Sequence, residues 1–376
     1  MSDRGNEGLR DKGNEGQRED NSPSPYPSVS PSLRRSLPLS PFVWCFLLLI
    51  AAILLSAAIG AVAIHPFEVA RIIASRLPFL HITPTWPATF ETILFDIRLP
   101  RTVLILLAGA ALSGSGAAYQ GLFRNPLADP YIIGVASGAG LGAVIAMALH
   151  WPATILGALV IPIAAFVGAL ITVGVVYGLA RVGRATPVFT LILAGVAIGS
   201  FTTAITTFLM LSSQAELRRA ISWMLGGFAF GGWMPVIAIL PYIIIGLIAL
   251  ALMGRALNVL QFGDDQAQQL GLHVDRVKLI VVIAASLTTA AAVAYAGIIG
   301  FVGLAVPHVV RLLWGGDYRR LIPLSIIAGA ALLLLADILA RTIIAPQEVP
   351  LGVVTAMFGA PFFLWLLRRT KRQTFW

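Results

Sequence analysis

Ten long apolar runs, separated by short segments that hold nearly all of the charge, constrain this chain more than any other feature. They fall at roughly 42–64, 102–121, 134–149, 152–180, 188–211, 234–254, 279–296, 298–314, 321–340 and 350–367. A bilayer crossing by a helix needs about 20 consecutive apolar residues. In lipid each backbone N–H and C=O must find its partner inside the protein, which an α-helix provides within one segment. The runs therefore predict an all-α, polytopic membrane protein with about ten transmembrane helices. The two shortest, 134–149 and 298–314, are expected to cross only partly or at a tilt.

Composition supports this reading. Charged residues make up 11% of the chain and hydrophobic ones 58%, whereas a soluble domain carries about 25% charged residues. Residues 1–40 differ: they are polar, rich in Pro, Ser and Gly, and repeat GNEG at 5–8 and 13–16. Such a segment cannot bury enough apolar surface to offset its chain entropy, and a disordered tail is expected there. Arg34-Arg35 and the Ala61-Val62-Ala63 triplet resemble parts of an export signal, but the run at 42–64 is too long for a signal h-region and reads as a retained first span. The transmembrane domain is thus placed at 41–376.

The cations give an orientation. With the N-terminus inside, the inner segments hold 19 of the 26 Lys and Arg, including Arg124, Arg181, Arg184, Arg276, Lys278 and Arg311. The outer segments hold Arg71, Arg76, Arg98, Arg101, Arg218, Arg219 and Arg341. Positive charge accumulates on the cytoplasmic side, so both termini are expected there. The high pI does not point to nucleic acid, because no basic stripe is interleaved with aromatics.

Several chemistries are disfavoured. Within the runs the charged side chains are Asp337 and, near the end of its run, Arg311. Ion-coupled carriers and proton pumps need charged groups at membrane depth. Asp337 sits one turn before Arg341, and an i,i+4 ion pair accounts for it. The three Lys residues do not follow Gly, so the phosphate-binding GxxxxGK[ST] loop is absent. Cys45 is the sole cysteine and the five His are scattered, which leaves no recognisable metal or hydrolase constellation and implies no cofactor.

Two stretches, Gly109–Gly121 and Gly134–Ala143, are dense in small residues. They suit either close helix packing or a wide pathway. The run 188–211 carries hydroxyls, among them Thr190, and Ser200, Thr203 and Thr207 share one helical face. An uncharged, weakly polar stripe suits a bulky solute; the alternative is hydroxyls bonded back to their own helix carbonyls. The NPLADP segment at 125–130 breaks the apolar pattern with two prolines and is expected to be a loop. Residues 255–276 form the longest inner loop, where Asp264 or Asp265 can cap a short helix and Gly271 can end it.

Several segments together resemble one family. RLPRTVLILLAGAALSGSGAAYQGLFRNPLADPYIIGVASGAG (98–140), LILAGVAIGSF (191–201), SWMLGGF (222–228), QAQQLGL (266–272), AGIIGFVGLAVPHVVRLL (296–313) and LLLLADILARTIIAPQEVPLGVVTAMFGAPFFLWLL (332–367) are similar, in order, to the FecCD-type permeases. These are membrane subunits of binding-protein-dependent ABC importers for iron–siderophore, haem and vitamin B12. The resemblance implies a type II ABC importer permease architecture in a prokaryotic cell membrane. It also implies a second permease copy or homologue, two cytosolic ATP-binding subunits, an extracytoplasmic solute-binding protein and surrounding membrane lipid, without nucleic acid.

Carried onto this chain, the resemblance makes Arg98, Arg101 and Arg341 candidates for docking the binding protein, with headgroup anchoring as the plainer alternative. It makes Ala267, Leu270 and Gly271 part of the element that couples to the ATPase. It also places the family's cytoplasmic gate at Val188–Leu193, here VFTLIL, bulkier than the small hydroxyl residues of vitamin B12 permeases. Thr190, Ser200, Thr203 and Thr207 are the pathway and gate candidates. The expected function is the permease of a metal-chelate importer, iron–siderophore first, with vitamin B12 or haem as alternatives. An ion-coupled secondary carrier and an intramembrane enzyme are the competing classes, and the charge pattern speaks against both.

Overall fold

The computed structural model describes residues 40–374, apart from 61, 63, 77–78, 80–81, 150–154, 184, 213 and 228–230. The expected disordered tail, Arg34-Arg35 within it, and two residues of the Ala61-Val62-Ala63 triplet therefore lie outside the described residues. The first elements are α1 (Pro41–Ala58), α2 (Pro66–Ala74) and α3 (Ala88–Thr92), which runs through a π-helical stretch, Ile93–Arg98, into α4 (Leu99–Leu122). There follow α5 (Val135–Ala148), α6 (Ile155–Ala180), α7 (Val188–Ser212), α8 (Gln214–Met224), α9 (Met234–Leu252), α10 (Gly254–Leu260) and α11 (Asp264–Gln269). The chain then closes with α12 (Val274–Ala296), α13 (Val302–Trp314), α14 (Tyr318–Thr342) and α15 (Leu351–Thr374).

Among the described residues, seven helical stretches are long and apolar enough to cross a membrane, and α5, α13 and the apolar part of α15 are shorter. Each of the ten runs thus corresponds to a helix. Boundaries shift where a side chain or proline intervenes. The first run splits after Ala58, because Arg98 donates to the carbonyls of Ala57 (2.8 Å), Ala58 (2.9 Å) and Val62. Those bonds satisfy carbonyls that a helix end leaves without partners. The second run begins earlier than hydropathy indicates, and Ala88–Leu122 is one continuous helix. Pro100 cannot donate a backbone hydrogen bond, and the wider π turns before it spread the mismatch over several residues.

α4 is the central helix, packed by α14, α12, α13, α9 and α1, and almost every residue from Leu104 to Leu122 is buried. Small residues make this possible. A Cβ on Gly116 would run into the backbone of Gly303 on α13, and one on Gly109 into that of Gly329 on α14. Close backbone approach through small residues replaces the missing hydrophobic drive between helices in lipid. Polar ties add to the packing: Tyr119 bonds Ser286 at 2.9 Å, and Gln120 donates to the Leu304 carbonyl at 3.2 Å.

α5 and α13 are each preceded by non-helical backbone, exposed at Asn125 and Leu127 and buried at Ala128, Pro130 and Ile133 before α5, and largely covered at Gly297–Phe301 before α13. In the NPLADP loop Asn125 accepts from Leu127 N–H (2.9 Å) and Asp129 from Tyr131 N–H (2.8 Å), two side-chain turns that hold the loop compact. The Tyr131 hydroxyl then donates to the Ile299 carbonyl (3.0 Å) and accepts from its N–H (3.2 Å), which joins this loop to the one before α13. α8 was not anticipated from hydropathy. It is amphipathic, with Ala220 and Trp223 buried and Arg218 and Arg219 exposed.

Candidate functional site

At the end of the bundle where α4 begins and α14 ends, Arg101 and Arg341 converge on Asp337. Arg101 pairs with Asp337 at 2.8 Å and with Glu348 at 2.9 Å, while Arg341 reaches Asp337 at 2.9 Å and Ser56 Oγ at 3.1 Å. The Asp337 side chain is 0% exposed, that of Arg101 22% and that of Glu348 50%. The i,i+4 pair expected from the sequence is present, and Asp337 serves Arg101 as well. Planar guanidinium groups suit this sharing, since each presents several donors in a fixed plane. Arg98 does not join them. Its guanidinium is buried on the carbonyls that end α1, so the position is structural, and a carboxylate from another chain has no access to it. Glu348 was missed because nothing in its Pro-flanked surroundings marks it. Only the fold brings it across from the start of α15.

At the other end of α4 lies the compact element formed by α10 and α11. Gln261 ties it to α4 by donating to the Gly121 carbonyl at 3.0 Å. The N-cap of α11 is Gly263 rather than Asp264 or Asp265, and no side chain caps it. Asp264 instead turns its carboxylate to Lys278, an ion-pair gain that competes with capping. Gly271 ends the helix as expected, at φ +85°, with Leu272 N–H bonded to Ala267 O and Gly271 N–H to Gln268 O. This 6→1 and 5→2 pair is the Schellman arrangement, for which glycine is the favoured residue. The element therefore holds Leu270 outward, 68% exposed, and Phe262, just past the end of α10, is 67% exposed. Ala267 is fully buried, so its side chain supports the element from within. Phe262 was not singled out in the sequence, because a lone aromatic before a Gly carries no periodic signal.

A third feature is a cavity of about 730 Å³ between the start of α5 and the middle of α7. Ser200, Thr203 and Thr207 line it, with Tyr131, Ser137 and Gly140 opposite. Its walls are mainly apolar, with Ile132, Val196, Met224 and Ile298 among small residues and a few hydroxyls, and carry no charged side chain. Thr207 also donates to Thr203 O at 2.9 Å, so the back-bonded alternative and the cavity-lining one hold for the same residue. Thr190 lies elsewhere: its hydroxyl donates to the carbonyls of Ala180 and Pro187, both at 2.8 Å, and braces the α6–α7 turn. The two small-residue stretches divide between their readings. That of α4 packs, while that of α5 packs against α6 on one side and opens onto the cavity on the other.

Comparison with known proteins places these features in a family. The model of the FecCD transport family matches residues 48–369. An uncharacterized ABC transporter permease protein of Bacillus subtilis, YvrB, is 46% identical over 284 residues, covering 75% of this chain and 80% of that protein. The cobalamin import system permease protein BtuC of Halobacterium salinarum is 47% identical over 282 residues, 75% of each chain. The hemin transport system permease protein HmuU of Yersinia pestis is 41% identical over 285 residues, 74% of this chain and 84% of its own. A solved chain described as an inward-facing metal-chelate type ABC transporter superposes with a TM-score of 0.75 at 27% identity, over 87% of this chain and 98% of that one. With seven spanning-length and three shorter apolar helices among the described residues and a family model that matches residues 48–369, the chain belongs to the FecCD transport family.

Proposed function

We propose that this chain is the permease subunit of a binding-protein-dependent ABC importer and that it forms the pathway for a bulky metal chelate. The observation that carries the reading is the separation of two surfaces along α4: a carboxylate-bound arginine pair where it begins and an exposed apolar knob where it ends. The arginine end faces outward and both termini face the cytoplasm, in keeping with the distribution of positive charge. Arg101, still partly exposed, receives a carboxylate of the solute-binding protein, and Arg341 supports it from behind. Leu270 and Phe262 seat in a cytosolic ATP-binding subunit, one for each permease of a pair.

The cavity supports the solute class. A mainly apolar wall of this size, with a few hydroxyls and no charge, contacts a large solute without holding it tightly, which a pathway requires. Iron–siderophore complexes fit that description and are the first reading. Cobalamin and haem are the second, favoured by the relatives whose names specify those solutes. The test is uptake into proteoliposomes containing the permease, its ATP-binding subunits and its binding protein, offered a ferric siderophore, cyanocobalamin or haemin. ATP-dependent uptake of one of them is expected. Uptake driven by an ion gradient without the ATP-binding subunits would overturn the assignment in favour of a secondary carrier.

A further inference from the structure

Lys278 lies one turn into α12 and is only 4% exposed. An ammonium group is strongly hydrated, and burying it costs several kcal/mol unless it is paired and hydrogen-bonded. Here the partners lie on two different elements. Its Nζ donates to the Asp264 carboxylate, at the first residue of α11, and to the backbone carbonyl of Thr186 at 3.1 Å, two residues before α7 begins. Thr186 is held from two further sides: its N–H donates to Asp275 Oδ1 at 3.4 Å, and its hydroxyl to the Tyr177 hydroxyl at 3.3 Å. From there Thr190 fixes the first turn of α7 to the α6–α7 turn through Ala180 O and Pro187 O. A short polar chain thus runs from the element bearing Leu270 to the helix bearing Ser200, Thr203 and Thr207.

We propose that Lys278 is the positioning residue that transmits movement of the α10–α11 element to the start of α7, so that the state of the ATP-binding subunits sets the state of the pathway. The inference rests on the importer assignment above and names the residue through which this chain performs the coupling. The geometry favours Lys over a packing residue here. A hydrophobic side chain would fill the same space, but it could not grip a carboxylate on one element and a carbonyl on another. Breaking the bridge leaves Asp264 without its close cation, with Arg124 at 4.0 Å, and leaves the Thr186 carbonyl short of a donor. The start of α7 then keeps its Asp275 contact with α12 but loses the one side chain it shares with the α11 carboxylate.

The test uses the full permease assembled with its ATP-binding subunits. Cys45, the sole native cysteine, is replaced by Ser, and a nitroxide label is attached at Phe189→Cys, an exposed position in the first turn of α7. The readout is the change in label mobility on trapping with ATP and vanadate, per pair of ATP-binding subunits bound. Lys278→Met is expected to retain the bound subunits but to lower the label response by about tenfold, the effect of losing one charge-assisted hydrogen bond from an equilibrium. Lys278→Arg, which restores the charge and the donors, should recover most of the response. If Lys278→Met fails to insert, Asp264→Asn, altered at a half-buried position, should show the same loss. An undiminished response in Lys278→Met or Asp264→Asn would overturn the role of Lys278 alone, as would a loss that merely follows loss of the bound subunits. A parent complex that binds no ATP-binding subunit or shows no response would overturn the importer assignment itself.

Discussion

Asp337 carries more of the structure than its isolation in an apolar run suggests. It is fully buried and balances both Arg101 and Arg341. Removing one member of a buried ion pair costs about 3–5 kcal/mol, because the remaining charges are left uncompensated. Asp337→Asn should therefore lower the thermal unfolding temperature of the detergent-solubilised protein markedly. Glu348→Gln should not, since the exposed partner of Arg101 contributes about 0–1 kcal/mol. Equal effects of the two substitutions would show that the cluster is not organised around Asp337. The pairing of Asp337 with Arg341 was legible from their four-residue spacing. The separation of Arg98 from Arg101 was not: three residues apart at a helix start they look equivalent, and only the carbonyls ending α1 decide that Arg98 turns inward.

At the scale of elements, hydropathy located the ten helices because burial in lipid demands apolar length, and it misjudged ends where backbone partners matter more. α1 stops at Ala58 through Arg98, α4 begins early through a π-helical stretch, and α5 and α13 are short where loops tied together through Tyr131 precede them. α8, whose apolar residues are interrupted by Gln214, Glu216, Arg218, Arg219 and Ser222, left no run to detect. The crossing of α4 with α13 depends on Gly116, where a Cβ would meet the backbone of Gly303. Overpacking a tight contact costs about 1–3 kcal/mol or more when the obstacle is backbone that cannot rotate away. Gly116→Ala should therefore reduce the yield of folded protein and its thermal stability. Ala at Gly174, which has open space around its Cβ position, should leave both unchanged. If the two substitutions behaved alike, helix propensity rather than packing would govern that position.

Over the whole molecule, α4 spans the distance between the arginine cluster and the α10–α11 knob, and the two ends are built from different groups. Leu270 has no intramolecular task that its 68% exposure would serve, so a change there should act only on the neighbour it meets. Leu270→Asp is expected to abolish co-purification of the ATP-binding subunits while membrane insertion and affinity for the binding protein stay at parent values. At the opposite end, Arg101 divides its donors between buried Asp337 and exposed Glu348. A docking carboxylate must displace Glu348 or join it. Glu348→Gln removes that competitor without loosening Arg101, because the Asp337 contact persists, and it should tighten docking of the binding protein. Arg101→Ala should weaken docking by at least about tenfold, since close charge pairs at interfaces are coupled by about 1.5–7 kcal/mol. Both effects should shrink as salt rises, because screening at physiological ionic strength acts over about 8 Å. Binding-protein affinity measured for the four proteins in nanodiscs across a salt series decides the matter. Weaker docking in Glu348→Gln would mean that Glu348 itself meets a cation on the partner. An unchanged affinity in Arg101→Ala would remove this cluster from the interface and leave it as the lock between α1, α4 and α14.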